Sequence, residues 1–167
     1  MTLRLFLILV MAVPLPLRAK DIDRTFDAES LKAGIPTASD LGPDWKPVHP
    51  DRWLVKGINK ISVFYDYRPG APTGDKPDSI VADIFIFPTS EEAAKMLEAH
   101  RQKTASIHGN VVEDVEGLIA GAYSSHRPEA LSGKRITFAY QNLVVTLAPS
   151  MKGIFVATQL LKKLRQP

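Results

Sequence analysis

Four histidines, no cysteine and one carboxylate inside an apolar strand are the residues that bear on chemistry. Without cysteine there is no disulfide, thiol nucleophile, iron–sulfur cluster, zinc finger or cysteine-linked lipid anchor. His100 falls on the apolar stripe of an expected helix, where a partly buried histidine with a backbone or carboxylate partner is the plain reading. His108 is eight residues further on. That is about 80° around a helix and roughly 12 Å along it. A metal pair on a helix wants i, i+3 or i, i+4 spacing. His49-Pro50-Asp51 offers one imidazole and one carboxylate, too small a set to read as a metal site. Neither a metal nor a cofactor is expected. Ser124 and His126 share a strand face with Cα atoms about 7 Å apart. A nucleophile and its base need about 2.6–3.2 Å between heavy atoms. No G-x-S-x-G elbow, P-loop or dinucleotide fingerprint occurs, so these residues read as a polar strand face.

Asp83 shares its strand face with Val81, Phe85 and Phe87. A carboxylate there must be paired, or its pKa rises; a salt bridge to a neighbouring strand, with Arg135 as one candidate, and a place at the sheet edge near the 68–78 loop are both open. Trp45, Trp53, Tyr65 and Tyr67, together with Asp83, are the candidate lining of a ligand groove. The competing reading has the aromatic residues anchoring long loops onto the core. Two functions follow. The first is a secreted or periplasmic non-catalytic domain that binds a partner protein or a small ligand at the cell envelope. Its site would be an exposed aromatic patch near Trp45, Trp53 and the 68–78 loop. The second is a small envelope hydrolase using Asp83 with His100 or His126, which requires those groups to converge in one cleft.

The envelope expectation comes from the N-terminus. Arg4 precedes a nine-residue apolar run, Leu5 to Val13, followed by Pro14, Pro16 and Ala19. This is the pattern of a secretory signal over residues 1–19, cleaved near Ala19. A membrane-spanning helix needs roughly 20 apolar residues, so no stable anchor is expected after cleavage. The chain carries 21 Lys and Arg against 18 Asp and Glu. Losing Arg4 and Arg18 leaves 19 against 18, or +1. No run of like charge suggests nucleic acid, which needs a concentrated basic face.

The elements that must position these residues follow from periodicity. Residues 20–57 form an irregular Pro-rich opening segment, with one short helical pattern carrying Phe26, Leu31 and Ala33. Alternation predicts strands at 59–67 and 80–87, the second apolar on both faces and so covered on both sides. Thr89 and Glu92 form a capping box opening a helix over 89–108, with the stripe Ala93, Met96, Leu97, His100, Thr104 and Ile107. Strands follow at 111–115, 122–126, 134–140 and 143–147, with Asn142 taking a positive φ in the hairpin turn. A last helix over 150–165 starts from Ser150 as N-cap and buries Met151, Ile154, Phe155, Thr158, Leu161 and Leu164. The 68–78 loop holds three prolines and two glycines, and is expected to be exposed. Residues 20–167 thus read as one α+β domain: a single antiparallel sheet of five or six strands with two principal helices packed on it.

The segments Ala38 to Trp45 (ASDLGPDW), Ser90 to Ala93 (SEEA), Gly121-Ala122-Tyr123 and Ile136 to Leu147 (ITFAYQNLVVTL) are structural motifs. With the final amphipathic helix they make the chain resemble small secreted bacterial α+β domains of unknown function. The resemblance covers most of the chain after residue 19. It implies an α+β domain outside the cytoplasm and supplies no catalytic residues. Those domains often turn the hairpin with Gly-Asn, where this chain has Gln141-Asn142.

Overall fold

A computed structural model describes residues 24–47, 59–70, 77–129 and 133–166. The expected signal over 1–19, His49, Trp53 and residues 71–76 of the 68–78 loop lie outside the described residues. The order is α1 (Ala28–Gly34), α2 (Ala38–Leu41), β1 (Trp45–Pro47), β2 (Lys60–Tyr67), β3 (Asp78–Ile86), α3 (Ser90–Ala105), β4 (Val111–Asp114), β5 (Tyr123–His126), β6 (Lys134–Tyr140), β7 (Leu143–Ser150) and α4 (Gly153–Leu164).

The strands form one antiparallel sheet in the order β1-β2-β3-β7-β6-β5-β4. It has seven strands rather than five or six. The additional strand is β1, which pairs Trp45 with Tyr67 at the sheet edge. Pro47 is tolerated there because an edge strand has a side that needs no donor. The opening segment is therefore less irregular than expected. Both of its helices have capping boxes, from Asp27 and Ser30 in α1 and from Thr37 and Asp40 in α2. Within α1 only Leu31 is buried; Phe26 is buried ahead of the helix, and Ala33 is exposed.

Pairing registers divide the side chains between two faces. Ile61 opposes Ile84, Ile84 opposes Val145, and Val145 opposes Phe138. With Val63, Tyr65, Ile80, Leu147 and Ile136 these residues make a fully buried face. It is covered by α4 and by Phe26. Fully burying a Leu, Ile or Phe side chain stabilises by about 1.5–3 kcal/mol, so this layer dominates the folding energy. The second face carries Val81, Asp83 and Phe85 of β3, Val144 and Thr146 of β7, and Arg135 and Thr137 of β6. Helix α3 crosses it and packs on β6 and β7. Here β3 is half-buried, not covered on both sides as its apolar residues suggested.

Two helix readings need correction. Thr89 caps α3, its hydroxyl accepting from Glu92 N at 3.2 Å. Ala93, Leu97 and Thr104 are buried as expected, but Met96 is 47% and Ile107 44% exposed. Ser150 is the last residue of β7, not the cap of α4. The helix starts at Gly153, so its buried stripe is Val156, Ala157, Leu160, Leu161 and Leu164. Met151 is 77% exposed, and Ile154, Phe155 and Thr158 are exposed too. In the β6–β7 hairpin the positive φ, 53°, belongs to Gln141 rather than Asn142. Asn142 is buried and serves as a clamp.

Candidate functional site

The aromatic residues expected to line a groove lie in the buried layer. Trp45, Tyr65 and Tyr67 are buried. The Trp45 ring meets Tyr65 edge-on at 6.3 Å and stacks on Phe155 at 6.0 Å. Tyr65 donates its hydroxyl to Pro36 O at 2.8 Å, which satisfies its polar end inside the core. Strand alternation is the cause, since Tyr65 and Tyr67 share the face of Ile61 and Val63. Burial also drives the Tyr65 hydroxyl pKa well above its ordinary value, which keeps it neutral.

A concave surface lies on the other face. It lies where α3 crosses the sheet and leaves β3 partly open. Val81, Asp83, Phe85, Phe87, Met96, His100, Arg135, Val144, Thr146 and Ala148 line a cavity of about 370 Å³. A second cavity of about 440 Å³ continues beyond His100 and Arg135, which line both. Its wall adds Lys103, Thr104, Ile107 and Asn110 from the end of α3 and its following turn, and Ser125, His126 and Arg127 from β5 and its end. Both volumes lie in the range of small-molecule sites, about 300–1,000 Å³.

The structure brings Asp83 and His100 to the first cavity, and His100 and His126 to the second. Asp83 is held by Ser62 and Lys60 of the neighbouring strand rather than by the candidate Arg135. Its Oδ1 accepts from Ser62 Oγ at 2.6 Å and pairs with Lys60 Nζ at 2.9 Å. Ser62 stands opposite Asp83 in the β2–β3 register, whereas Arg135 is two strands away on β6. His100 Nδ1 meets the hydroxyl of Tyr123, a fully buried residue of β5. Burial, then the Arg135 charge, then the Lys103 charge, lower the His100 pKa from its ordinary 6.5. Ser125 and His126 line one cavity, while Ser124 points to the opposite face, where it pairs with Ile136. The Nδ1 of His126 is buried with no hydrogen-bond partner. Among the described residues, no group of three or more His, Asp or Glu side chains is placed to hold a metal ion.

No protein-family model matches the chain, and no curated protein matches it. Two solved structures are similar in shape. One is the extracellular domain of PknH from Mycobacterium tuberculosis, at 12% identity and a TM-score of 0.59, covering 87% of this chain and 100% of that one. The other is a GTP-binding regulator from Thermotoga maritima, at 11% identity and a TM-score of 0.40, covering 86% and 93%. The first likeness shows that this α+β fold is shared with the PknH domain.

Proposed function

We propose that the protein is a non-catalytic domain acting outside the cytoplasm, secreted or periplasmic, which binds a small ligand between α3 and the second face of the sheet. The observation that carries this reading is the pair of adjoining cavities sharing His100 and Arg135. The sequence left a partner protein and a small ligand open, and a concave wall of this size with convergent polar groups suits the small ligand. The location rests on the apolar run Leu5 to Val13. It is supported by the extracellular placement of the PknH domain that shares the fold. Among the described residues no helix is long and apolar enough to cross a membrane.

The groups a hydrolase would use are already engaged. Asp83 is held by Ser62 and Lys60, and His100 Nδ1 by Tyr123. Because Asp83 and His100 face one cavity, the hydrolase remains the alternative. It predicts turnover of activated esters that Asp83→Asn abolishes. For the binding reading, the test is to add small molecules extracted from the cell envelope to the isotope-labelled protein and map amide shifts. Shifts clustered at Met96, His100, Arg135 and Val144 support it. Shifts confined to other surfaces, or none at all, sink it.

A further inference from the structure

The two cavities have opposite character. The 440 Å³ end is lined by five basic side chains, His100, Lys103, His126, Arg127 and Arg135, and by no carboxylate among the described residues. Lys103, Arg127 and Arg135 make no ion pair among the described residues, although Lys60, Arg101 and Lys134 each have a carboxylate partner. Gathering the three cations Lys103, Arg127 and Arg135 in a concave wall raises the local potential and favours an anion. His126 Nδ1 is a buried polar atom with no hydrogen-bond partner. Burial first, then the nearby charges of Arg135 and Lys103, lower the His100 pKa.

The 370 Å³ end is mostly apolar, with Val81, Phe85, Phe87, Met96, Val144 and Ala148. Its one acid, Asp83, is neutralised by Lys60 and so does not oppose an incoming anion. Met96 stands at this end with 47% of its surface exposed, a flexible thioether suited to a variable apolar partner.

We infer that the cleft binds a single anionic amphiphile, with a phosphate or carboxylate head among Lys103, His126, Arg127 and Arg135 and an apolar tail along Val81, Phe85, Met96 and Val144. The assignment rests on the small-ligand reading above and names its ligand class. His100 and Arg135 line both ends, so they stand at the junction of head and tail.

Calorimetric titration of the purified protein with four probes tests this: dodecyl phosphate and dodecyl maltoside below their micelle concentrations, inorganic phosphate, and phosphatidylglycerol vesicles. Dodecyl phosphate should bind at least about tenfold tighter than inorganic phosphate or the neutral maltoside. One charge-assisted contact carries a factor of this order, so Arg135→Gln should weaken dodecyl phosphate roughly tenfold and leave the maltoside unchanged. Both Arg135 and Lys103 are exposed, so Lys103→Gln is a second variant that spares the fold, and should act in the same direction. Equal binding of phosphate and dodecyl phosphate would leave an anion site alone and overturn the amphiphile. Binding of vesicles without the monomer would replace it by a membrane surface. Equal binding of maltoside and dodecyl phosphate would overturn the head assignment while the small-ligand reading stands. If no probe binds, the ligand class falls, and the envelope-extract experiment decides the wider reading separately.

Discussion

Asn142 and Phe26 lie 116 positions apart and hold each other through two hydrogen bonds. Asn142 Oδ1 accepts from Phe26 N at 2.8 Å, and Asn142 Nδ2 donates to Phe26 O at 2.9 Å. The same amide also donates to Phe87 O at 2.7 Å. One buried side chain thus ties the opening segment, the β6–β7 hairpin and the end of β3. A buried group left unsatisfied costs about 1–3 kcal/mol, and Asn142→Ala strands three. We expect Asn142→Ala to lower unfolding stability by about 2–4 kcal/mol in urea with an unchanged m-value. Asn142→Asp should be comparably unstable at neutral pH and recover on acidification, because a carboxylate there faces two carbonyl oxygens. A urea midpoint within error of wild type for both variants would remove the clamp.

Asp78 of β3 holds the turn between β7 and α4. Its Oδ2 accepts from Ser150 Oγ, from Met151 N at 3.0 Å and from Lys152 N at 3.3 Å. Asp78→Ala should cost about 1–3 kcal/mol, since it removes hydrogen bonds to a charged acceptor. It should also speed hydrogen exchange at Met151 and Lys152. Unchanged exchange at those amides would show that Ser150, which accepts from Lys152 N at 2.9 Å, holds this turn alone.

What could be read from the sequence depended on periodicity. Strands β2 to β7 and helix α3 alternate or repeat over enough residues to stand out. Strand β1 has three residues, one of them proline, and no pattern that short is legible. The phase error in α4 came from Ser150, whose hydroxyl lies near the helix start although its backbone belongs to β7. Asp83 and His100 stood out as polar residues on apolar patterns, and both face the cleft. The aromatic residues misled because their strand alternates, and its buried side is the one they occupy. The cations of the cleft could not be seen. Lys103, His126, Arg127 and Arg135 come from three segments that only the sheet order brings together.

Acid should weaken the fold through His100. Its partners are the Tyr123 hydroxyl and the charges of Arg135 and Lys103, with Asp83 across the cavity. Its folded pKa lies below 6.5, so the unfolded chain takes up the proton first as pH falls. The stability His100 contributes is therefore present above that ordinary value and lost as pH falls through the folded one. Measured from pH 8 down to pH 5, the stability gap between wild type and His100→Gln should narrow. A constant gap would show that His100 titrates alike in both states.

A second acid limb lies lower. Asp40 accepts from Thr37 N at 2.7 Å and from Lys163 Nζ at 3.0 Å, which links α2 to α4. Thr37 N–H first, then Lys163 and the Thr37 hydroxyl, hold its carboxyl at about 2, against an ordinary 3.8. A depressed folded pKa gives stability that is complete above the unfolded value and lost as pH falls toward the folded one. Between pH 4 and pH 2, covering that interval, Asp40→Asn should flatten the decline. A parallel decline in wild type and variant would contradict the assignment.

Gly133 is fixed by space as well as by conformation. Its φ is +82°, and a Cβ would fall 2.5 Å from Ser150 C. Left-handed backbone costs a residue with a Cβ about 1–2 kcal/mol, and overpacking adds about 1–3. Gly133→Ala should therefore destabilise by about 3 kcal/mol in thermal or urea unfolding. A loss below about 1 kcal/mol would mean that the β6 start relocates freely.

The position of β7 between β3 and β6 has a consequence for how the molecule is made. Strands β1, β2 and β3 leave the ribosome first, yet the inner border of β3 has nothing to pair with until residues 143–147 emerge. An interrupted nascent chain therefore carries an unzipped border of Ile84 and Ala82 backbone, the kind of template on which chains stick to one another. Closure waits for the final strand, which arrives with the amphipathic helix that covers the same layer. Long-range pairing of this kind is slow. Closure of the sheet is thereby deferred until the last seventh of the chain, from Leu143 onward, has been synthesised.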